Sequence, residues 1–243
     1  MDAGDAPMEA AARHVVRLAP LFGGAMSMSL ATRFQDMSEF RQIPDNQEVF
    51  ADPITDQSVI IELLSLQEEA GDDAAAEFHF GSIAQDNEAT QAALDFGPVV
   101  RPLPEGGMDG FVPSCGPQST PIPPIMKIVK PSCCTFCLAG HCRVMTLCSG
   151  TQVVAKFREG AGRLNTIRVH VACWRIRGIA TDIVLSYNTP LWINNQSSSG
   201  EMVDVAALQE DAVAARVEQE FEAIASSIAI HDVSLFDPLP ADP

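Results

Sequence analysis

The clearest hydrophobic rhythm lies near the C-terminus. Met202, Ala206, Val213, Val217, Phe221, Ile224 and Ile228 fall on one stripe at helical spacing, which predicts one long helix over 202–228. Asn165–Arg177 alternates instead, with Ile167, Val169, Val171 and Cys173 to one side. This predicts a strand, and a phase shift near Trp174–Ile176 predicts a bulge in it. Arg143–Cys148 and Thr151–Phe157 flank Ser149-Gly150 and read as a hairpin. Gly178 turns the chain into a further strand at Asp182–Tyr187. Consecutive strands with tight turns predict an antiparallel sheet.

The N-terminal half is less regular. Met8–Leu18 reads as a short helix bracketed by Pro7 and Pro20, and residues 29–35 as a first strand. Asp36–Phe40 reads as a turn, and Gln47–Phe50 as strand-like. Residues 56–69 read as a helix: Thr55 is placed to cap it, Ile60, Leu63, Leu64 and Gln67 share one side, and Gly71 ends it. On that reading Glu62, Ser65 and Glu69 lie together on the opposite face. Phe78–Phe80 reads as a short strand, Asn87–Leu94 as weakly helical, and Val233–Phe236 as a last strand or packed turn.

Residues 102–124 hold seven prolines and four glycines, a linker composition, and 125–142 are apolar, basic and Cys-rich without a period. The expected organisation is an N-terminal extension at 1–19, a single domain at 20–236 interrupted by an insertion at 104–141, and a tail at 237–243. The fold class is α+β: an antiparallel sheet flanked by helices.

Composition narrows the function. The formal charge is −17, with eighteen acids against four arginines in residues 1–100, and nine Lys or Arg against Glu159 alone in residues 121–180. An acidic N-terminal half repels nucleic acid and anionic membranes and would favour a basic protein partner; the alternative, which charge excess alone more often means, is a solvated acidic face that only aids solubility. No apolar run is long enough to cross a bilayer, and the acidic N-terminus lacks the pattern of a signal or transit peptide, so a soluble intracellular protein is expected.

Seven cysteines without a secretory signal predict free thiols. Cys133, Cys134, Cys137, His141, Cys142 and Cys148 cluster closely. Cys134-x-x-Cys137 has the bite of a zinc knuckle, but it is the one such pair and it lies in the insertion, so no metal site is assigned. Nothing along the chain ties a thiol to His79, His170 or His231. There is no GxSxG, HExxH, phosphate loop or dinucleotide fingerprint, so neither a catalytic set nor a cofactor is expected. Gly23-Gly24 reads as a turn needing positive φ rather than a phosphate cradle. Trp174 and Trp192 read as core or sheet-face residues.

One string is distinctive: Pro20-Leu21-Phe22-Gly23-Gly24-Ala25, then Pro44-Asp45-Asn46-Gln47-Glu48-Val49-Phe50, then Thr55-Asp56-Gln57-Ser58 running into Glu62-Leu63-Leu64. Shorter pieces follow at Glu77-Phe78-His79-Phe80, Thr181-Asp182 and His231-Asp232 closing on Leu235-Phe236. The string resembles the Ran guanine-nucleotide release factors, the Mog-one family. The resemblance implies a fold shared with the PsbP proteins of photosystem II. It also implies a non-enzymatic regulator, monomeric, that binds the GTPase Ran and promotes nucleotide release in nuclear import, in nucleus and cytoplasm. It further implies acidic Ran contacts on the element at 56–69, where Glu62 sits on such a position and Ser65 stands where relatives commonly carry a second acid.

Asp36, Asp45, Glu48, Glu62, Ser65 and Glu69 are the candidate Ran-facing residues. Carboxylates suit the task because a GTPase grips its nucleotide through a phosphate loop, a Lys and Mg²⁺, and acids can compete for those basic groups or displace a switch. The alternatives are a trafficking adaptor of the same fold without release activity and a PsbP-like photosynthetic subunit.

Overall fold

The computed structural model describes residues 15–102, 144–155, 164–194 and 211–236. Its centre is a seven-stranded antiparallel sheet in the order β3-β4-β5-β9-β8-β7-β6. These strands are β3 (Gln35–Asp36), β4 (Gln47–Ala51), β5 (Ser58–Ser65), β6 (Gln91–Pro102), β7 (Val144–Ala155), β8 (Leu164–Ile176) and β9 (Thr181–Trp192). A three-stranded sheet, β1 (Val16–Leu21), β2 (Met26–Ala31) and β10 (Ala229–Ile230), has β2 at its middle. Helix α1 (Ala75–Asp86) lies on one face of the large sheet, and α2 (Asp211–Ser227) lies with the small sheet on the other.

Strand alternation distributes the side chains between two cores. On β8 and β9, Ala172, Trp174, Ile176, Ile183, Leu185 and Tyr187 point toward Val217, Phe221 and Ile224 of α2 and Met26, Met28 and Leu30 of β2. Val169, Val171, Cys173 and Val184 point the other way, toward Ala76 and Phe80 of α1. Trp174 is fully buried, as expected of a core residue, whereas Trp192 is about half exposed (51%). The helical stripe Val217, Phe221, Ile224 and Ile228 is buried as its spacing predicts; Met202 and Ala206 lie outside the described residues.

Several expected elements are corrected. Ser58–Ser65 is a strand, not the start of a helix over 56–69. Both of its faces are partly covered, so Val59, Ile61 and Leu63 serve one core and Leu64 the other, and the continuous apolar run imitates a helical face. The β-branched run Val59-Ile60-Ile61 is the strand signal. Thr55 caps no helix: its hydroxyl donates to Asp52 at 2.8 Å, inside a turn where Asp52 also accepts the Ile54 N–H at 2.9 Å.

The short strand expected at Phe78–Phe80 lies inside α1, where Ala75, Ala76, His79, Phe80 and Ala84 are buried at helical spacing. The weak helix expected at Asn87–Leu94 runs instead into β6. The first strand expected over 29–35 spans Met26–Ala31, with only the two-residue β3 further on. The turn after Asp36 is present, with the Asp36 carboxylate accepting the Ser38 N–H at 2.8 Å.

Ser149-Gly150 is not a hairpin turn. β7 runs unbroken through it, with Ser149 opposite His170 and Gly150 opposite Val169. Gly150 is required by a close approach: a Cβ there would meet the Ala93 carbonyl at 2.4 Å and the Phe80 ring at 2.6 Å. The phase shift near Trp174–Ile176 marks no bulge either; pairing is continuous from Trp174↔Ile183 to Ile176↔Thr181, and the irregularity falls at Thr166/Ile167. The alternation is obscured there because both faces are buried and Arg175 is a buried cation.

β1 begins at Val16, inside the stretch read as an N-terminal extension, so the helix expected over Met8–Leu18 does not reach its end; residues 8–14 lie outside the described ones. Pro102 of β6 pairs directly with Val144 of β7. The chain thus leaves and re-enters the sheet at neighbouring positions around 103–143, which contain the expected insertion and lie outside the described residues. Val233–Phe236 is a 3-10 turn.

Gly150→Ala should destabilise the protein by about 1–3 kcal/mol, because backbone and a packed ring crowd the new methyl. Gly81→Ala, inside α1 with nothing within 4 Å of the new atom, should be neutral or stabilising by up to about 1 kcal/mol. Paired denaturant melts check both; equal stability of the two variants would contradict the packing described.

Candidate functional site

The acidic candidates gather at the β3–β4–β5 end of the sheet, in two groups. The first lines an open cleft of about 420 Å³ walled by Phe22, Gly23, Ser38, Ile43, Pro44, Asp45, Gln47, Glu48 and Leu235. Phe22, Gly23 and Gly24 all have positive φ (49°, 66° and 95°), which costs a bulky residue such as Phe22 real strain. The turn is held by the Glu48 carboxylate, which accepts the Phe22 N–H, and by the Ala25 N–H donating to the Phe22 carbonyl at 3.2 Å. Burial, reinforced by the nearby Asp36 charge, raises the Glu48 carboxyl above its usual range; the Phe22 N–H works against this. Asp45 is exposed at the rim and Asp36 half-buried.

The third wall comes from the C-terminal segment. The His231 and Asp232 N–H groups donate to the Ala25 carbonyl at 2.7 and 3.1 Å, and the His231 ring meets the Ser27 hydroxyl at 2.7 Å. Asp232 caps the following turn by accepting from Ser234, which sets Leu235 in the cleft. The strings at 20–25, 44–50 and 231–236, far apart along the chain, therefore meet in one place.

The second group sits across the sheet. Gln47 is paired with Glu62 in the β4–β5 register, and its side-chain amide donates to the Glu62 carboxylate. Burial raises the Glu62 carboxyl, as does Asp86 of α1; Gln47 and His79 oppose the rise. Glu48 and Glu62 face opposite sides of the sheet. So do Glu62 and Ser65, since three residues of strand reverse the direction of the side chain. The shared polar face expected for Glu62, Ser65 and Glu69 does not exist. Ser65 is exposed at the end of β5, opposite Thr181, and Glu69 is exposed in the loop beyond.

That loop is fastened from beneath. Arg175 and Asp182 face each other across β8–β9 and form a bidentate pair, both contacts at 3.1 Å. The Arg175 guanidinium also donates to the Gln67 and Ala70 carbonyls and approaches Asp72. Asp182 also meets the His79 ring at 2.9 Å and accepts the Gln67 N–H at 3.2 Å. Burial alone would push the Asp182 carboxyl up; the His79, Arg175 and Gln67 hydrogen bonds outweigh it and hold the carboxyl below the usual range.

His79, Cys173 and Asp182 place possible ligand atoms within 4.8 Å of one another. The Asp182 oxygens are already taken by three partners and the group is closed off in the core, so the cluster is structural. Cys148 is also buried, against Phe80, and its thiol is pushed up to about 12 by burial, reinforced by Glu77; it belongs to the core and not to an exposed thiol cluster. Cys133, Cys134, Cys137, His141 and Cys142 lie outside the described residues.

Of the acids selected from the sequence, Asp45 and Glu48 line the cleft and Asp36 lies near enough for its charge to act on Glu48. The acid set did not include Gln47 or Leu235, although the strings that carry the family resemblance contain both; Ile43, expected with Phe50 as an apolar contact, lines the cleft, whereas Phe50 is buried in the core.

Fold and site together define a small α+β protein with acidic side chains gathered at one edge of its sheet. The family model described as Ran-interacting Mog1 protein matches residues 19–190. The Ran guanine nucleotide release factor of Danio rerio is 35% identical over 217 residues, 89% of this chain and 98% of that protein. The Homo sapiens protein of the same description is 32% identical over 223 residues, 90% and 96% of the two chains. The nuclear import protein mog1 of Schizosaccharomyces pombe is 49% identical over 75 residues, 30% of this chain and 40% of that protein. Among solved structures, the Saccharomyces cerevisiae Ran-binding protein Mog1p superposes with a TM-score of 0.57 at 18% identity, over 92% of this chain and 99% of that one, a likeness of fold. The chain belongs to the Ran-interacting Mog1 protein family.

Asp182→Asn should cost about 3–5 kcal/mol at neutral pH, because Arg175 would remain buried without its counter-charge. The Asp182 carboxyl lies below its unfolded value of about 3.9, so its contribution is complete above that pH and disappears as pH falls through the folded value. Thermal melts from pH 7 down to pH 2 should therefore show a smaller gap between variant and wild type in strong acid. A constant gap would show that Asp182 acts by packing rather than by charge.

Proposed function

We propose that this protein binds the GTPase Ran and promotes release of its guanine nucleotide, in support of nuclear protein import. The observation that carries this reading is the convergence of the family-like strings on one acid-lined edge, where Asp45 and Glu48 line a cleft, Asp36 lies close to Glu48, and Glu62 stands across the sheet. The curated relatives named as Ran release factors support the same reading.

The protein acts as a regulator rather than an enzyme, as a monomer, without cofactor, nucleic acid or membrane insertion, and it works in nucleus and cytoplasm. Its carboxylates compete for basic groups around the bound nucleotide, loosening a grip that depends on a Lys and Mg²⁺. Ser65 and Glu69 contribute at the rim: Ser65 without charge, Glu69 as an exposed acid on the fastened loop. The contact as proposed does not include residues 104–141, whose described flanks, Pro102 and Val144, pair at the β6–β7 end of the sheet. Family membership favours this reading over a photosynthetic subunit.

Glu62→Lys should weaken Ran binding about tenfold or more, since reversing an interface charge adds repulsion to a lost attraction. The melting temperature should stay within a few degrees of wild type. Calorimetric titration with purified Ran measures the affinity, and nucleotide exchange on the same Ran measures release. Unchanged affinity would remove Glu62 from the contact. Tight binding without faster release would point to the trafficking-adaptor alternative.

A further inference from the structure

The side chain that joins the two acidic groups is neutral. Gln47 contributes to the cleft wall, yet its amide reaches Glu62. Its backbone position is fixed on β5 by the register Gln47↔Glu62, and just beyond that pair the Leu63 N–H donates to the Asn46 carbonyl at 2.9 Å. The Asn46 side chain donates to the Leu63 carbonyl at 3.3 Å. The start of β4 is thus pinned by the Asn46–Leu63 bonds on one side of the Gln47–Glu62 pair and by the Glu48↔Ile61 register on the other.

We infer that Gln47 is a positioning residue for the Ran contact: its amide orients the Glu62 carboxylate and keeps it charged for a basic partner group. The inference rests on the Ran-binding reading above.

The chemistry of the pair supports it. An ionised carboxylate only accepts hydrogen bonds, so the amide must present its nitrogen to Glu62, and that arrangement stabilises the charged form over the neutral one. Burial and the like charge of Asp86 on α1 oppose the charge, while His79 of α1, whose ring is engaged by Asp182, favours it. Without the Gln47 donor, Glu62 would take up a proton at a higher pH and lose its fixed direction. A hydrogen bond to a charged group is strong enough to move the titration by about one pH unit, which is tenfold in protonation.

The test uses the full-length chain with Gln47→Met, which keeps length and removes the donor. Two readouts are needed: the side-chain carboxyl titration of Glu62 by NMR in the free protein, and Ran affinity from pH 5 to pH 9. The expected result is a Glu62 midpoint about one unit higher than in wild type. Affinity should fall up to about tenfold within the window between the two midpoints and recover to within about twofold at higher pH. In a Glu62→Gln background, Gln47→Met should leave the pH profile unaltered. Gln47→Asn, too short to reach, should behave like Gln47→Met and serves if the Met variant does not fold.

An unmoved Glu62 titration, or an affinity loss of equal size at every pH, would overturn the inference. A wild-type protein that does not bind Ran would overturn the functional reading instead, whatever the Glu62 titration does. A shifted titration with a Ran pH profile like that of wild type would limit Gln47 to local structure and also reject its role in the contact.

Discussion

Arg175 spends its donors on Asp182 of the neighbouring strand and on groups of the loop that leaves β5. A buried ion pair offsets the loss of hydration only when the remaining donors and acceptors also find partners, and here they do. Asp182 extends the same cluster to His79, so one sheet position holds a loop and a helix at once. The placement of α1 over β7 and β8 follows from this clamp together with the Phe80 contact above Gly150. So does the environment of Glu62, since α1 brings Asp86 and His79 toward it.

A second polar cluster organises the opposite face. Arg33 contacts Asp52, Gln57, Tyr187 and Glu220, and the Tyr187 hydroxyl donates to Glu220 at 3.0 Å. This ties α2 to the sheet and to the turn before β5. The two clusters bracket β5 and β9 from either side, which gives the acidic edge a rigid base. A rigid base suits a surface that acts on its partner by presenting fixed charge, because little ordering entropy remains to be lost on binding.

The α2 stripe and the first part of β8, with Ile167, Val169, Val171 and Cys173, were readable because each has one period sustained over several residues. The sequence misled at β5 and Gly150 for a shared reason: the central sheet is covered on both faces. Ser58–Ser65 loses its alternation when both sides are apolar, and Ser149-Gly150 looks like a turn although the glycine exists to admit Phe80. Local pattern carries no information about a ring arriving from another element. The candidate site was legible as a set of strings, and Asp45 and Glu48 came from it directly. The grouping was not legible, because the error at β5 converted residues on opposite sheet faces into neighbours on a helix.

The central claim is that the β3–β4–β5 end of the sheet, with its cleft, is the face that meets Ran. Backbone amide chemical-shift mapping of the labelled protein against unlabelled Ran tests this most directly. The account predicts that the largest changes fall on 22–24, 36–50, 61–69 and 234–236, with α2 and β6 little affected. Changes concentrated on β6 and α2, with the cleft unperturbed, would contradict it.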